Sequence, residues 1–534
     1  MTRLQSRLIA AGFAVAVTIA IAAAPGARAQ TSPVTESASG DMLSVDPPYL
    51  APANVSAAAR SVTPGAVAAA TFTATDWPTF GMNAQRTGYN PVETVLTTSN
   101  VMSLRTHWTT DLGGPILTQP TLAAGVSISG VPTDVVYAAT LLGDMYALNA
   151  SSGTVIWHRH VAPVQSSCSD FAASGGNIGF VGTPTIDRTR NQLYIVSGDG
   201  FLHAYNLATG ADLPALHVAI PDAANAPPRT FVYGSPTIST ISSGTSLYIA
   251  TASACDTPPY HGQVVRVSIP DGTILGRWYP TGATGPNGGG IWGPGGVSVV
   301  RGGSAVYVLT GNAIAKPQTF GYSDQAVELT SDLKVLASNI PAPPPIADAD
   351  FGATPTLFTA RGCAPMLAAF QKTGNLYIYG QSSIHSGPLQ TLNISQPRSS
   401  GTNIGLPAFD PVLNQLYMAS PSHSFTGFDN HGLLALGFSG SCSINLTWQQ
   451  PVGKDSVSDN PAISPVAAKG VVYYADGIAS QVFAMDAKSG QILWSTNSLP
   501  LPERPTGGIL ASPTVVNGQL FVAGMDHKIH AFGL

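Results

Sequence analysis

Short apolar runs alternate with turn residues along most of the chain, and they recur as a fixed phrase. A Pro-Thr opening leads into an apolar strand and a Gly-centred turn. An aromatic strand follows and ends in a second Gly-containing turn. Clear copies are QPTL at 119–122, GTPTID at 182–187, GSPTIS at 234–239, GATPTL at 352–357 and ASPTVV at 511–516. Weaker copies are GPGGV at 293–297, LPAFD at 406–410 and SPVAA at 464–468. The markers Pro120, Pro184, Pro236, Pro294, Pro355, Pro407, Pro465 and Pro513 define eight units about 56 residues apart, each with room for four strands. The pattern predicts an all-β chain: an eight-bladed β-propeller of four-stranded antiparallel blades.

The last unit tests this reading. After Pro513 three strand phrases remain, TVVNG, QLFVAG and KIHAFG, whereas the strand phrase LRTHW at 104–108 has no blade of its own. Joining that N-terminal strand to the C-terminal three completes the eighth blade and closes the ring without an exposed edge. The repeat also accounts for several tempting side chains. Tyr146, His203, Phe483 and His530 fill one slot of the repeat (MYAL, LHAY, VFAM, IHAF), so the two histidines read as ring-shaped packing. Trp157 and Trp494, each four residues after a turn glycine, read as blade-docking residues.

Composition agrees and narrows the class. The 534 residues include 56 Gly and 43 Pro, as a turn-rich β protein needs. With 10% charged residues and a net charge of -5, the chain lacks the basic excess of a nucleic-acid binder, and its 44% hydrophobic content excludes disorder throughout. Arg3 and Arg7 precede an apolar run from Leu8 to Ala24, and Ala27-Arg28-Ala29 offers a small-residue cleavage site. Residues 1–29 are therefore expected to be a signal peptide and 30–74, rich in Ser, Ala, Pro and Thr, a flexible leader. The propeller is then 75–534, periplasmic or secreted, with no membrane span after cleavage.

In a four-stranded meander the turns alternate between the two ends of the blade. The B–C loops and the D–A connections therefore share one face. Trp292 (GGGIWGPGG) and Asp350 (IADADFGATPTL) lie in D–A connections, while Asn312 (AVYVLTGN) and Lys372 (MLAAFQKTG) each follow a strand B. All four are expected on one face near the axis, where they suit a planar polar ligand. The same rule sorts the cysteines. Four cysteines allow three pairings; Cys168 and Cys255 fall on this face and Cys363 and Cys442 on the other, which favours Cys168–Cys255 and Cys363–Cys442 in an oxidising compartment.

The Gly-x-x-x-Trp repeats resemble those of the pyrroloquinoline quinone (PQQ) propellers, the family of quinoprotein alcohol dehydrogenases and polyvinyl-alcohol dehydrogenases, over roughly residues 76–534. The resemblance extends to an ordered set of segments. IWGP is similar to the segment whose Trp stacks on the quinone, which implies that role for Trp292. LTGN resembles the segment whose Asn helps bind calcium, implying Asn312. DADFGATP resembles the segment with the catalytic Asp, implying Asp350 as base and calcium ligand rather than Asp348, and FQKTG implies Lys372 as the contact to the quinone oxygens. PQQ and calcium are the implied cofactors. An alcohol is the implied substrate, oxidised by hydride transfer. The chain has no Cys-x-x-Cys-His, so it has no site for covalent haem, and the implied electron acceptor is a separate partner.

The absent haem motif and two further departures favour the alternative, a non-catalytic propeller acting as a binding or envelope-assembly scaffold with a protein partner. Adjacent cysteines, frequent in the family, are missing, and the acidic calcium ligand of blade three has only Asp256 (ACDTPPYHG) to match it, in a doubtful register. No nucleophile–base pairing supports a hydrolase.

Overall fold

The computed structural model describes residues 76–269, 271–315, 319–341, 348–397, 403–422, 431–455 and 463–534. The signal peptide expected at 1–29 and the leader expected at 30–74 lie outside the described residues. From Asp76 onward the described residues form eight four-stranded antiparallel meanders, two of which gain a short fifth strand: Tyr89–Asn90 pairs parallel with Val466–Ala468, and Thr230–Phe231 pairs antiparallel with Gly244–Ser253. Blade one comprises Thr121–Ile128, Val131–Ala139, Asp144–Asn149 and Val155–His160. The inner strands of blades two to eight are Thr185–Asp187, Thr237–Ile241, Ser298–Val299, Thr356–Phe358, Ala408–Asp410, Val466–Ala468 and Thr514–Val516, and a marker proline stands immediately ahead of each except Ser298–Val299, which Pro294 precedes by four residues. The eighth blade is composite: Arg105–Asp111 pairs antiparallel with Lys528–Gly533, from Arg105 opposite Gly533 to Asp111 opposite Lys528, with a register shift between Thr106 and Trp108. The ring is closed as expected. Among the described residues no helix is long and apolar enough to cross a membrane.

The Pro-Thr phrase has a structural cause. In three blades the threonine hydroxyl that opens the inner strand donates to the backbone carbonyl of the marker proline in the next blade, Thr185 to Pro236 at 2.6 Å, Thr356 to Pro407 at 3.1 Å and Thr514 to Pro120 at 2.6 Å, whereas Thr237 donates to Val297 at 2.9 Å. The Ser298 hydroxyl donates to the Pro355 carbonyl, and Gln119 adds a bond across the closure to the Pro513 carbonyl at 2.6 Å. These bonds satisfy buried carbonyls at the crowded centre, where no strand partner is available.

The Gly-x-x-x-Trp phrase is a socket and a plug. Trp157, on the outer strand of blade one, donates its indole N–H to Leu207 of blade two at 2.9 Å, and its ring lies where a Cβ on Gly210 would come within 2.6 Å. Trp108 meets Ala150 and Gly153 in the same way, and Trp448 meets Ala487 and Gly490. Each of these glycines also has a positive φ, +63° at Gly210, so turn geometry and ring packing both require glycine there.

A segment that carries no repeat runs inside the ring and touches every blade. Trp77 exchanges backbone hydrogen bonds with Leu122 at 2.9 Å, and the carbonyls of Pro78, Ala84, Gln85, Thr87 and Gly88 accept from Ile186, Val299, Leu357, Phe409 and Ala467 at 2.7–2.9 Å. The Arg86 guanidinium, 1% exposed, bonds Thr79, the carbonyls of Phe80 and Ser235, and Thr237, and so secures blade three. The Asn90 amide reaches the Val515 carbonyl of blade eight at 2.9 Å.

His203 and His530 are packed as expected. His203 is 5% exposed, lies parallel to Tyr205 and shares a 2.8 Å hydrogen bond with Ser197. His530 is paired with Asp526 at 2.9 Å.

Two predictions follow from this packing. Gly210→Ala should lower the unfolding free energy by about 2 kcal/mol, because the added methyl meets Trp157 and the left-handed backbone disfavours a side chain; denaturant titration measures it. Burial holds the His203 ring below its ordinary value despite Asp199 and Asp212, and His217 adds to the effect. The unfolded chain therefore takes up a proton that the folded one refuses. Stability is unaffected above about pH 6.5 and falls as pH drops through that value. Thermal melts between pH 5 and 8 should show wild type losing ground there relative to His203→Phe.

Candidate functional site

The loop from the outer strand of blade three, Ile274–Trp278, to the inner strand of blade four carries Trp292. It is stitched to its neighbours through the backbone: Ile291 N–H to Thr251 at 3.0 Å, Gly311 N–H to Gly290 at 2.7 Å and Gly289 N–H to Asn312 at 2.7 Å. The corresponding loop into blade five carries Asp350, whose carbonyl accepts the Lys372 N–H at 3.0 Å. Four loops are thereby locked together, and the side chains expected on one face meet.

Asp350 is the hub. Its Oδ1 accepts the Asn312 backbone N–H at 2.6 Å, and its Oδ2 accepts the Trp292 indole N–H at 3.2 Å and the Lys372 ammonium at 3.1 Å. Lys372 also reaches Asp348 at 2.9 Å and lies 5.1 Å from the centre of the Trp292 ring. Asn312, Asp350 and Lys372 are each 5% exposed. Two glycines make room. A Cβ on Gly311 would come 2.9 Å from the Asp350 carboxylate, and one on Gly352 would come 2.6 Å from the Trp292 ring. The glycines of LTGN and DFGATP are thus needed for this close approach.

These residues line a cavity of about 440 Å³, within the range of small-molecule sites. Its other walls include Ser169, Asp170, Tyr233, Cys255, Asp256 and Tyr260. Tyr233 meets Trp292 edge-on, with ring centres 6.3 Å apart. Asp256, set aside by sequence reading because of its register, lines the same cavity as Asn312 and Asp350, and the Tyr260 hydroxyl donates to it. Its register was obscured because the strand Gly244–Ser253 ends in a tight turn in which Cys255 and Asp256 both have positive φ. The face rule that placed Cys255 on this side holds for its neighbour too. The disulfides Cys168–Cys255 and Cys363–Cys442 are both formed.

The electrostatics of the cavity are lopsided. Among the described lining residues, Asp170, Asp256, Asp348 and Asp350 face the single cation Lys372. Burial, and then repulsion from Asp350, raise Asp256 and push Asp348 up to about 6. Asp170 is raised by burial. Behind the lining, Asp324 donates its backbone N–H to Gly311, and burial together with Asp350 and Asp348 pushes its carboxyl up to about 8. No sequence signal marks Asp324. Burial opposes the charge on Lys372, but Asp350 and Asp348 outweigh it and raise its value. Carboxylate and amide oxygens in excess over positive charge are the donor set of a hard cation, so Asp256, Asn312 and Asp350 fit a calcium site. The half-buried Trp292 plane beside Lys372 fits a planar anionic ring.

Comparison with known proteins agrees with this architecture. Residues 77–226 match the family model "Glucose/ethanol/alcohol dehydrogenase, beta-propeller domain", and 444–533 match "Outer membrane protein assembly factor BamB". Comparison with curated proteins finds no match. Among solved structures, a europium-containing methanol dehydrogenase has a TM-score of 0.63 at 15% identity, covering 86% of this chain and 98% of that one. The quinohemoprotein alcohol dehydrogenase of Comamonas testosteroni has 0.61 at 16%, covering 87% and 81%. BamB of Moraxella catarrhalis has 0.50 at 14%, covering 81% and 100%. The chain is an eight-bladed propeller built of PQQ-type repeats, with the fold shared by quinoprotein alcohol dehydrogenases and BamB.

The Trp292 seat can be tested directly. Gly352→Ala should displace the indole and break its bond to Asp350, and this would appear as altered tryptophan emission with the β-sheet circular dichroism unchanged.

Proposed function

We propose that this chain is an exported quinoprotein-like oxidoreductase that oxidises an alcohol by hydride transfer to PQQ and passes the electrons to a separate acceptor. The observation that carries the reading is the convergence of Trp292, Asn312, Asp350 and Lys372, joined by Asp256, in one cavity. Export rests on the N-terminal apolar run and the two disulfides.

Each side chain then has a task set by its position. Trp292 offers the stacking surface. Asp256, Asn312 and Asp350 would hold calcium, and Lys372 would face the quinone oxygens. When bound, PQQ with its cation supplies an electrophilic carbon that accepts the hydride. Asp350 takes the hydroxyl proton of the alcohol. Its orientation is fixed from both sides, since Asn312 N–H holds Oδ1 while Lys372 and Trp292 hold Oδ2. Lys372 offsets the charge that would otherwise gather among Asp348, Asp350 and Asp256. A carbonyl product leaves and the two electrons go to the acceptor.

The match of residues 444–533 to the BamB model favours a second reading, a scaffold with a protein partner. The two are separated by reconstitution. Purified protein with PQQ and calcium should reduce a phenazine–indophenol dye pair when given simple alcohols. Asp350→Asn should lower the rate by ~10²–10⁴-fold while leaving cofactor absorbance in place. Absence of PQQ binding by absorbance or calorimetry would leave only the scaffold.

A further inference from the structure

Two of the carboxylates in the cavity come from loops of different blades. Asp170 follows Cys168 in the connection entering blade two, and Asp256 follows Cys255 at the end of the blade-three strand Gly244–Ser253. The disulfide joins the two loops with their Cα atoms 5.6 Å apart. Beneath it lies a small apolar cluster in which Cys168 itself packs with Leu141, Phe171, Ile178, Phe231 and Ala254 and holds the two loops together.

The position of the disulfide suggests another use. Cys255 and Asp256 are consecutive non-glycine residues at φ +52° and +48°. Such a pair lies in a sparsely populated region of backbone space and persists only where the surroundings over-determine it. On the far side of Asp256 the restraint is the Tyr260 hydroxyl, with Tyr260 itself anchored by Asn287 at 2.8 Å. On the near side it is the disulfide, together with the Thr257 N–H bond to the Ser253 hydroxyl at 3.0 Å and the Thr257 hydroxyl bond to the Ala254 carbonyl at 2.9 Å. With the bond cut, only these hydrogen bonds would hold the turn, and the Asp256 carboxylate would lose part of its restraint in the cavity it shares with Asn312 and Asp350.

We infer that the Cys168–Cys255 disulfide is a positioning device that holds Asp256 as an oxygen ligand of the cation site, so that cation affinity depends on the redox state of this bond. The inference rests on the cation-binding reading given above. It needs no change in the fold, because the apolar cluster and the second disulfide, Cys363–Cys442, remain.

The test is calcium binding by isothermal titration, with terbium emission as a second probe, on the full chain without PQQ. Cys168→Ser/Cys255→Ser should weaken calcium at least tenfold while circular dichroism is unchanged. Asp256→Asn in the oxidised protein should weaken it similarly, and combining the two changes should add little, because both remove one ligand. Cys363→Ser/Cys442→Ser should leave affinity near wild type. Equal affinity with and without the Cys168–Cys255 bond would overturn the inference and leave the cation site standing. A loss that also occurs in the Cys363/Cys442 variant, or that adds in full to Asp256→Asn, would overturn it as general loosening. No calcium binding by the oxidised wild type would overturn both the inference and the site.

Discussion

The pairing of Arg105–Asp111 with Lys528–Gly533 is the constraint on which the rest depends. A row of sheets with open ends would leave the first and last blades without a neighbour and expose unpaired strand edges to other chains. Closure gives every blade two neighbours and fixes the angle between them. Loops far apart in sequence then come side by side: Asp256 from blade three, Trp292 and Asn312 from blade four, Asp350 and Lys372 from blade five. The cavity follows from the ring, because no single blade supplies enough polar groups to build it.

The features legible in the sequence were those the ring repeats. The proline, the following hydroxyl residue and the Gly-x-x-x-Trp phrase each mark a contact made between successive blades, so selection for one geometry wrote them several times. The inner belt from Trp77 to Asn90 was not legible, since it meets each blade once and mostly through backbone groups, which leave no trace in side-chain periodicity. Its one strong residue, Arg86, is a buried cation held mainly by neutral oxygens, an arrangement no spacing rule foretells.

The site was legible in outline for a different reason. Loop order around a propeller fixes the face, so position alone brought Trp292, Asn312, Asp350 and Lys372 together. What position could not reveal was conformation. Asp256 sits in a turn where two side chains adopt a left-handed backbone, and register counting along an extended strand fails there. Asp324 was invisible because its importance lies in burial behind Gly311 rather than in any motif.

The charge balance of the cavity bears on the choice between catalyst and scaffold. A propeller that only binds a partner through its rim has no physical reason to gather carboxyls around one lysine, since burial and mutual repulsion raise them and each ionised group weakens the fold. Replacing them with neutral residues of similar size would relieve that strain at no loss to a surface contact. Under the proposed function they would have a use, since a multivalent cation would offset the repulsion and a flat anionic ring would sit beside Trp292 and Lys372.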